Sequence, residues 1–221
     1  MRVLQTIGLP LAVLMLLSCV SQAPSPAQPE APTLQIIPIP KEQDAKLSLF
    51  SKLVLNPPKG STFGVLKFGA LCIHQRDLTW EHGPQVWDEE DIRNAFNQVL
   101  QKANYPVAGS VDNLFEDLSA AQLIIAGLVK ELQADICNKL TLGFGGPREV
   151  QPVADLSLKV NWQVFSRVDG KVVYEVATDG KYSGPGNFRA GVIAAFANAT
   201  EKLLADRRFY ELVVVPKKGN V

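Results

Sequence analysis

Residues Ala154–Val168 constrain the fold more than any other stretch of this chain. Leu156, Leu158, Val160, Trp162 and Val164 alternate with Asp155, Ser157, Lys159, Asn161 and Gln163. A period of two places the first set on one face of a strand and the second on the other, so the strand belongs to a sheet with one buried and one wet side. Asp169-Gly170 follows as a hairpin signal, because both residues tolerate the positive φ that a tight turn needs. Lys171–Ser183 then returns as a second strand carrying Val172, Tyr174 and Val176.

Two helices are predicted around this hairpin. In 88–104, Asp88 is the N-cap candidate, and Glu89, Glu90 and Asp91 fill the first turn, where the helix dipole favours anions. Ile92, Ala95, Phe96, Val99, Leu100 and Ala103 form one apolar stripe. After the break Gly184-Pro185-Gly186, Asn187 caps a second helix to about Asp206, striped by Phe188, Val192, Ala195, Phe196, Ala199 and Leu203. Further strands are expected over 47–55, 62–74, 107–111 and 122–137, with a short final strand over 212–215. Residues 75–86 read as irregular, 112–118 as a single helical turn, and 138–153, with its glycines and prolines, as a loop. The fold class expected is α+β: a two-layer sandwich, its sheet mostly antiparallel and its two main helices on one face.

The N-terminus reads as an export signal. Arg2 supplies the positive region, and Ile7–Leu17 an apolar run of about eleven residues, within the ~7–15 of a secretory signal and short of the ~20 of a membrane span. Leu16-Leu17-Ser18-Cys19 resembles the lipobox of bacterial lipoproteins. The resemblance implies that Cys19 becomes the first mature residue and carries the lipid (diacylglyceryl and a palmitate-type acyl chain). Val20-Ser21 follows without the aspartate that retains enteric lipoproteins in the inner membrane, which implies the outer membrane, facing the periplasm. An ordinary signal cut after Ser21-Gln22-Ala23 is the alternative, although Pro24 would then occupy a position that signal peptidase accepts poorly. Residues 20–33, with Pro24, Pro26, Pro29 and Pro32, have little to bury and read as an extended tether. Ile36, Ile37 and Ile39 could dock on the body. The expected organisation is 1–18 signal peptide, 19–45 lipidated cysteine and tether, and 46–221 one periplasmic domain.

Charge limits the partners. Twenty-two basic and 22 acidic residues leave no net charge over 221 residues, whereas a nucleic-acid binder needs a basic face. No nucleic-acid partner is expected. Processing removes Cys19 from the thiol pool and leaves Cys72 and Cys137, near the ends of two apolar strands, in a compartment that permits disulfides. A structural Cys72–Cys137 disulfide is expected, with two separate buried thiols as the alternative.

Motifs for chemistry are weak. Gly184-Pro185-Gly186 stands between strand and helix, but Phe188-Arg189 replaces the Lys-Ser/Thr of a phosphate loop, and Gly191 comes one residue late for a dinucleotide turn. Gly191 reads instead as a close helix–sheet contact. His74 and His82 lack the local context of a hydrolytic triad and, with two cysteines, lack zinc-site spacing. No catalytic residue, metal ligand or cofactor is expected. Trp80, His82 and Trp87 mark the best candidate binding surface, although for the two tryptophans a cap on the edge of the core is the favoured reading.

The element order, with Tyr105-Pro106-Val107-Ala108-Gly109, Val160-Asn161-Trp162-Gln163-Val164 and Val172-Val173-Tyr174, resembles periplasmic lipoprotein domains of the YajG and CsgG-like kind over residues 61–209. That resemblance implies a non-catalytic assembly, scaffold or accessory role with a protein partner, the membrane being reached through the N-terminal lipid. Tyr105–Gly109 with Leu114-Phe115 also looks like the accessory domains that precede trypsin-like proteases. A periplasmic binder of a small molecule or glycan is the alternative from a different class.

Overall fold

The computed structural model describes residues 35–55, 57–80, 87–109, 117–143 and 146–216, with side chains from 141 to 150 left aside. The signal peptide, Cys19, the tether 20–33, His82 and most of the helical turn expected at 112–118 lie outside the described residues. Residues 34–221 form one compact unit.

The body is organised around a strand of 21 residues, β5 (Leu123–Gly143), on the order of 70 Å long at ~3.3 Å per residue. One of its edges pairs along its whole length with β6 (Gly146–Ser166), antiparallel, and β6 pairs in turn with β7 (Lys171–Pro185). The other edge is shared end to end. β1 (Ser48–Leu55) runs parallel to β5 from Leu123 to Val129, and β2 (Thr62–Phe68) runs parallel to it from Ala134 to Asn138. Outside these lie β4 (Val107–Ala108), parallel to β1, and β3 (Ile73–Thr79), antiparallel to β2. The seven-stranded sheet is therefore mixed. Three of its pairings are parallel, and the sequence-based expectation of a mostly antiparallel sheet holds only for the β5–β6–β7 and β2–β3 ladders.

Both long helices cover one face. Asp88 caps α1 (Glu89–Lys102), its carboxylate accepting from the Glu90 N–H at 2.9 Å. Asn187 caps α2 (Phe188–Ala205), accepting from Ala190 N–H at 3.0 Å. The alternating set Leu156, Leu158, Val160, Trp162 and Val164 is buried beneath them as expected. Phe50 stacks on Phe96 at 4.6 Å, and Trp162 lies 5.6 Å from Phe196, so that β1, β6, α1 and α2 meet in one aromatic cluster. The Trp162 indole donates to Thr178 Oγ1 at 2.7 Å, and the Thr178 hydroxyl donates to Ala199 O at 2.9 Å. That chain satisfies polar atoms that would otherwise cost ~1–3 kcal/mol each in the core. α2 approaches the sheet over two glycines. A Cβ on Gly191 would stand 2.3 Å from Leu156 Cδ1, the close contact expected, and one on Gly180 would stand 1.9 Å from Ala195 O, a contact the sequence does not announce.

Four local expectations are corrected. The strand expected over 62–74 turns at Gly69 (φ +88°) and Cys72 (φ +50°), and its last residues begin β3 instead. Residues 75–79, read as irregular because they are polar, complete that edge strand. Residues 138–153, read as a loop, continue β5 and β6 as a two-stranded ribbon. Pro147 and Pro152 fit there because β7 pairs with β6 only from Val153 onward, so no ladder bond is lost. Finally, Leu212–Val215 is no strand. Asp206 caps α3 (Arg207–Val213), which buries Phe209 and Val213 at helical spacing, and a single bridge from Ala45 to Val214 is all that pairs there.

The chain already belongs to the body before residue 46. Ile37 N–H donates to Leu204 O at 3.2 Å and Ile39 N–H to Ala103 O at 2.9 Å, and the Ile39 side chain is buried. The Tyr105 hydroxyl donates to Ile37 O at 2.9 Å. Burial, and then the nearby Tyr210, push that phenol above its ordinary value, so it stays a donor.

Candidate functional site

The face of the sheet opposite the helices holds the groups that could meet a ligand. Along β5, β6 and β7 its rows are set by register: Gln133, Ser157 and Lys181 in one, Asp135, Asp155 and Ser183 in the next. A concavity of about 760 Å³ lies over them, lined also by Phe63 and Val65 of β2. Asp135 and Asp155 stand directly opposite each other, a destabilising arrangement for two carboxylates. Each is compensated separately. Lys67 forms an ion pair with Asp135, and the Ser183 hydroxyl donates to Asp155. One row toward the other end, Lys159 lies 3.5 Å from Glu131, and Lys202 reaches Asp179 at 2.7 Å from α2. The Lys202 hydrogen bond holds the Asp179 carboxyl below its ordinary range. This groove brings carboxylates and ammonium groups together beside the apolar side chains of Phe63 and Val65. Sequence reasoning missed it, because Asp135 and Asp155 are 20 residues apart and meet only through the β5–β6 register.

The residues singled out from sequence do not converge. Trp80 and Trp87 are both buried in the core, so neither ring is presented to a partner, and His82 lies outside the described residues. Trp80 packs edge-on against Phe63 at 5.3 Å. His74 is exposed on β3, 3.4 Å from Asp77. Among the described residues no three His, Cys, Asp or Glu side chains come together as a metal site.

Cys72 and Cys137 are bridged, with Cα atoms 5.5 Å apart. The bridge pins the β2–β3 turn to β5 just beyond the groove. Gly69 N–H donates to Asn138 O at 3.0 Å beside it. Pinned in this way, the turn displays Phe68, Leu71 and Ile73 to solvent, Leu71 with 83 % of its surface exposed.

Comparison with known proteins gives a fold likeness only. No family model matches the chain, and no curated protein matches its sequence. Among solved structures, the arrangement is similar to that of a DUF330 protein, XCC0632 of Xanthomonas campestris, at 14 % identity and a TM-score of 0.40, over 80 % of this chain and 90 % of that one. It is also similar to PelC, a dodecamer from Paraburkholderia phytofirmans, at 12 % identity and a TM-score of 0.34, over 72 % of this chain and 86 % of that one. A minor lipoprotein of Acinetobacter baumannii matches at 8 % identity and a TM-score of 0.33, over 77 % and 98 %. These likenesses are remote. No described helix is long and apolar enough to cross a membrane.

Proposed function

We propose that this chain is a non-catalytic cell-envelope lipoprotein, held in the outer membrane by acyl chains on Cys19 and serving as an assembly, scaffold or accessory protein for another envelope protein. The observation that carries the reading is the docked entry of the chain. Behind the lipobox and the proline-rich stretch, Ile37 and Ile39 are strapped to α1, α2 and Tyr105, so the chain passes from tether to core within a few residues. A strap of this kind transmits a membrane attachment into the folded body. Two acyl signals give a stable hold where one does not, each buried methylene contributing ~0.8 kcal/mol. Metabolic acyl labelling of the wild-type chain and of Cys19→Ser tests the anchor; label that persists in the variant, or a mature N-terminus at Pro24, refutes it. Crosslinking in intact cells tests the partner, and repeated recovery of the chain alone counts against a scaffold.

A second reading rests on the groove. Its polar rows, with Phe63 and Val65 also in the lining, combine polar and apolar groups as a small-molecule site does. A hydroxyl-rich ligand such as a glycan would use Asp135, Asp155 and Lys181. Titration with a saccharide panel, comparing wild type with Asp155→Asn, separates this reading from the first.

A further inference from the structure

The end of the body where the described chain begins carries apolar side chains on its surface. A cross-strand row runs through Leu49, Ile124, Phe165 and Val172 on β1, β5, β6 and β7, on the face that neither long helix covers. Leu118 extends the row. Its Cδ2 and the Leu49 Cδ1 lie 3.7 and 3.5 Å from the point where Gly109 would carry a Cβ. The turn joining β6 to β7 is tied to the same place, because the Arg167 guanidinium donates to Ser119 O. At that turn Val168 is 81 % exposed, and Val172 and Leu118 are exposed beside it. Arg167 and Lys171 flank these side chains, as do Asp117 and Asp169.

We propose that this end of the body seats against a phospholipid surface, with Val168, Leu118 and Val172 at the acyl boundary and Arg167 and Lys171 at the headgroup phosphates. The proposal rests on the lipid anchor proposed above. The occupant is argued from where the chain enters. Fifteen residues, 20–34, separate Cys19 from the described chain, a reach of at most ~47 Å at ~3.1 Å per residue. The chain then docks at Leu204 and Tyr105, at the same end of the sheet. Tyr105 stacks on Phe209 and Phe209 packs on Tyr174, whose β6 partner Val164 adjoins Phe165 of the apolar row. Tethering raises the effective concentration of this end at the bilayer. A contact of three apolar side chains, too weak to hold a free protein, is then enough. Another exposed apolar cluster, Phe68, Leu71 and Ile73, lies beside Asn138, fourteen residues along β5 from Ile124 and so ~46 Å away, where the chain does not enter.

The test uses the full lipidated chain in phosphatidylethanolamine/phosphatidylglycerol vesicles, with photoreactive benzoylphenylalanine placed at position 168, 118 or 71. Lipid adducts are expected at 168 and 118, at least fivefold above those at 71. Val168→Asp should lower the adducts at 118 severalfold. Adducts chiefly at 71, adducts from 168 to protein in place of lipid, or no effect of Val168→Asp would each overturn the seat. The mass of the Cys19 peptide is read on the same sample. Missing acyl chains refute the anchor and, with it, the seat; acyl chains present without lipid adducts at 168 refute the seat alone.

Discussion

The two halves of β5 are built on different principles. The half flanked by β1 lies over a closed apolar interior where Phe50, Phe96, Trp162 and Phe196 meet, crossed by a buried polar chain from Trp162 to Thr178 to Ala199 in which each donor finds an acceptor. The half flanked by β2 relies on local devices: a disulfide, a turn with two positive-φ residues, and ion pairs on an open groove. Beyond Asn138 it is a two-stranded ribbon, a form marginally stable by itself in water. Stability in the first half comes from burial. In the second, where Ala134, Ile136 and Leu156 are buried as well, a crosslink and charges are added to burial, and these depend on redox conditions and pH.

The largest effect should follow damage to the closed half. Trp162→Ala opens a cavity beneath α1 and α2 and should cost ~3–5 kcal/mol in chemical denaturation. A cost below ~1 kcal/mol would mean that the aromatic cluster is not the core described. Next comes the staple. Loss of the Cys72–Cys137 bridge, which spans 65 residues, should cost ~2–4 kcal/mol in the Cys72→Ser/Cys137→Ser pair. Amide exchange should then accelerate first in β2 and β3; equal acceleration in β1 would erase the distinction between the halves. Thr178→Val leaves the indole N–H without an acceptor and should cost ~1–3 kcal/mol, with Thr178→Ser restoring most of it.

Charge changes should be smaller still. Asp155→Asn removes one of two opposed carboxylates and should leave stability within ~0.5 kcal/mol of wild type, or slightly above it. A marked loss would show that the groove, too, is structurally essential. The smallest expected effect is on pH dependence. Asp179 is held below its ordinary range first by the Lys202 hydrogen bond. Asp206 is likewise low: burial alone would raise it, and Tyr174 and Arg208 more than offset that. A carboxyl depressed in the folded state adds stability that is present above its unfolded value of ~3.9 and lost as pH falls through the folded value. Denaturation midpoints from pH 6 down to 2.5 should therefore fall less steeply for Asp179→Asn than for wild type; identical slopes would show the Lys202 pair to be too solvated to matter.

Much of the closed half was legible because its signals are local. Alternation over 154–164, the Asp88 and Asn187 caps and the Asp169-Gly170 turn each act within a few residues. The groove was not legible, since no local pattern marks Asp135 and Asp155 as neighbours. Trp80 and Trp87 carried two readings in the sequence, a cap on the core edge and a surface suggested by polar flanks, and packing against residues such as Phe63 places Trp80 with the core.

The sequence by itself determined both long helices with their caps, the core strands and the pair of cysteines able to bridge. These follow from composition, period and capping chemistry. Only the tertiary structure decided that β5 shares one edge between β1 and β2, that residues 138–153 continue as strands, and that Arg207–Val213 coils into a helix reaching into the Leu212–Val215 run that reads as a strand. Strand partners are chosen by hydrogen bonds between residues far apart in sequence, and the side chain that fills a given space is chosen by the same distant pairings.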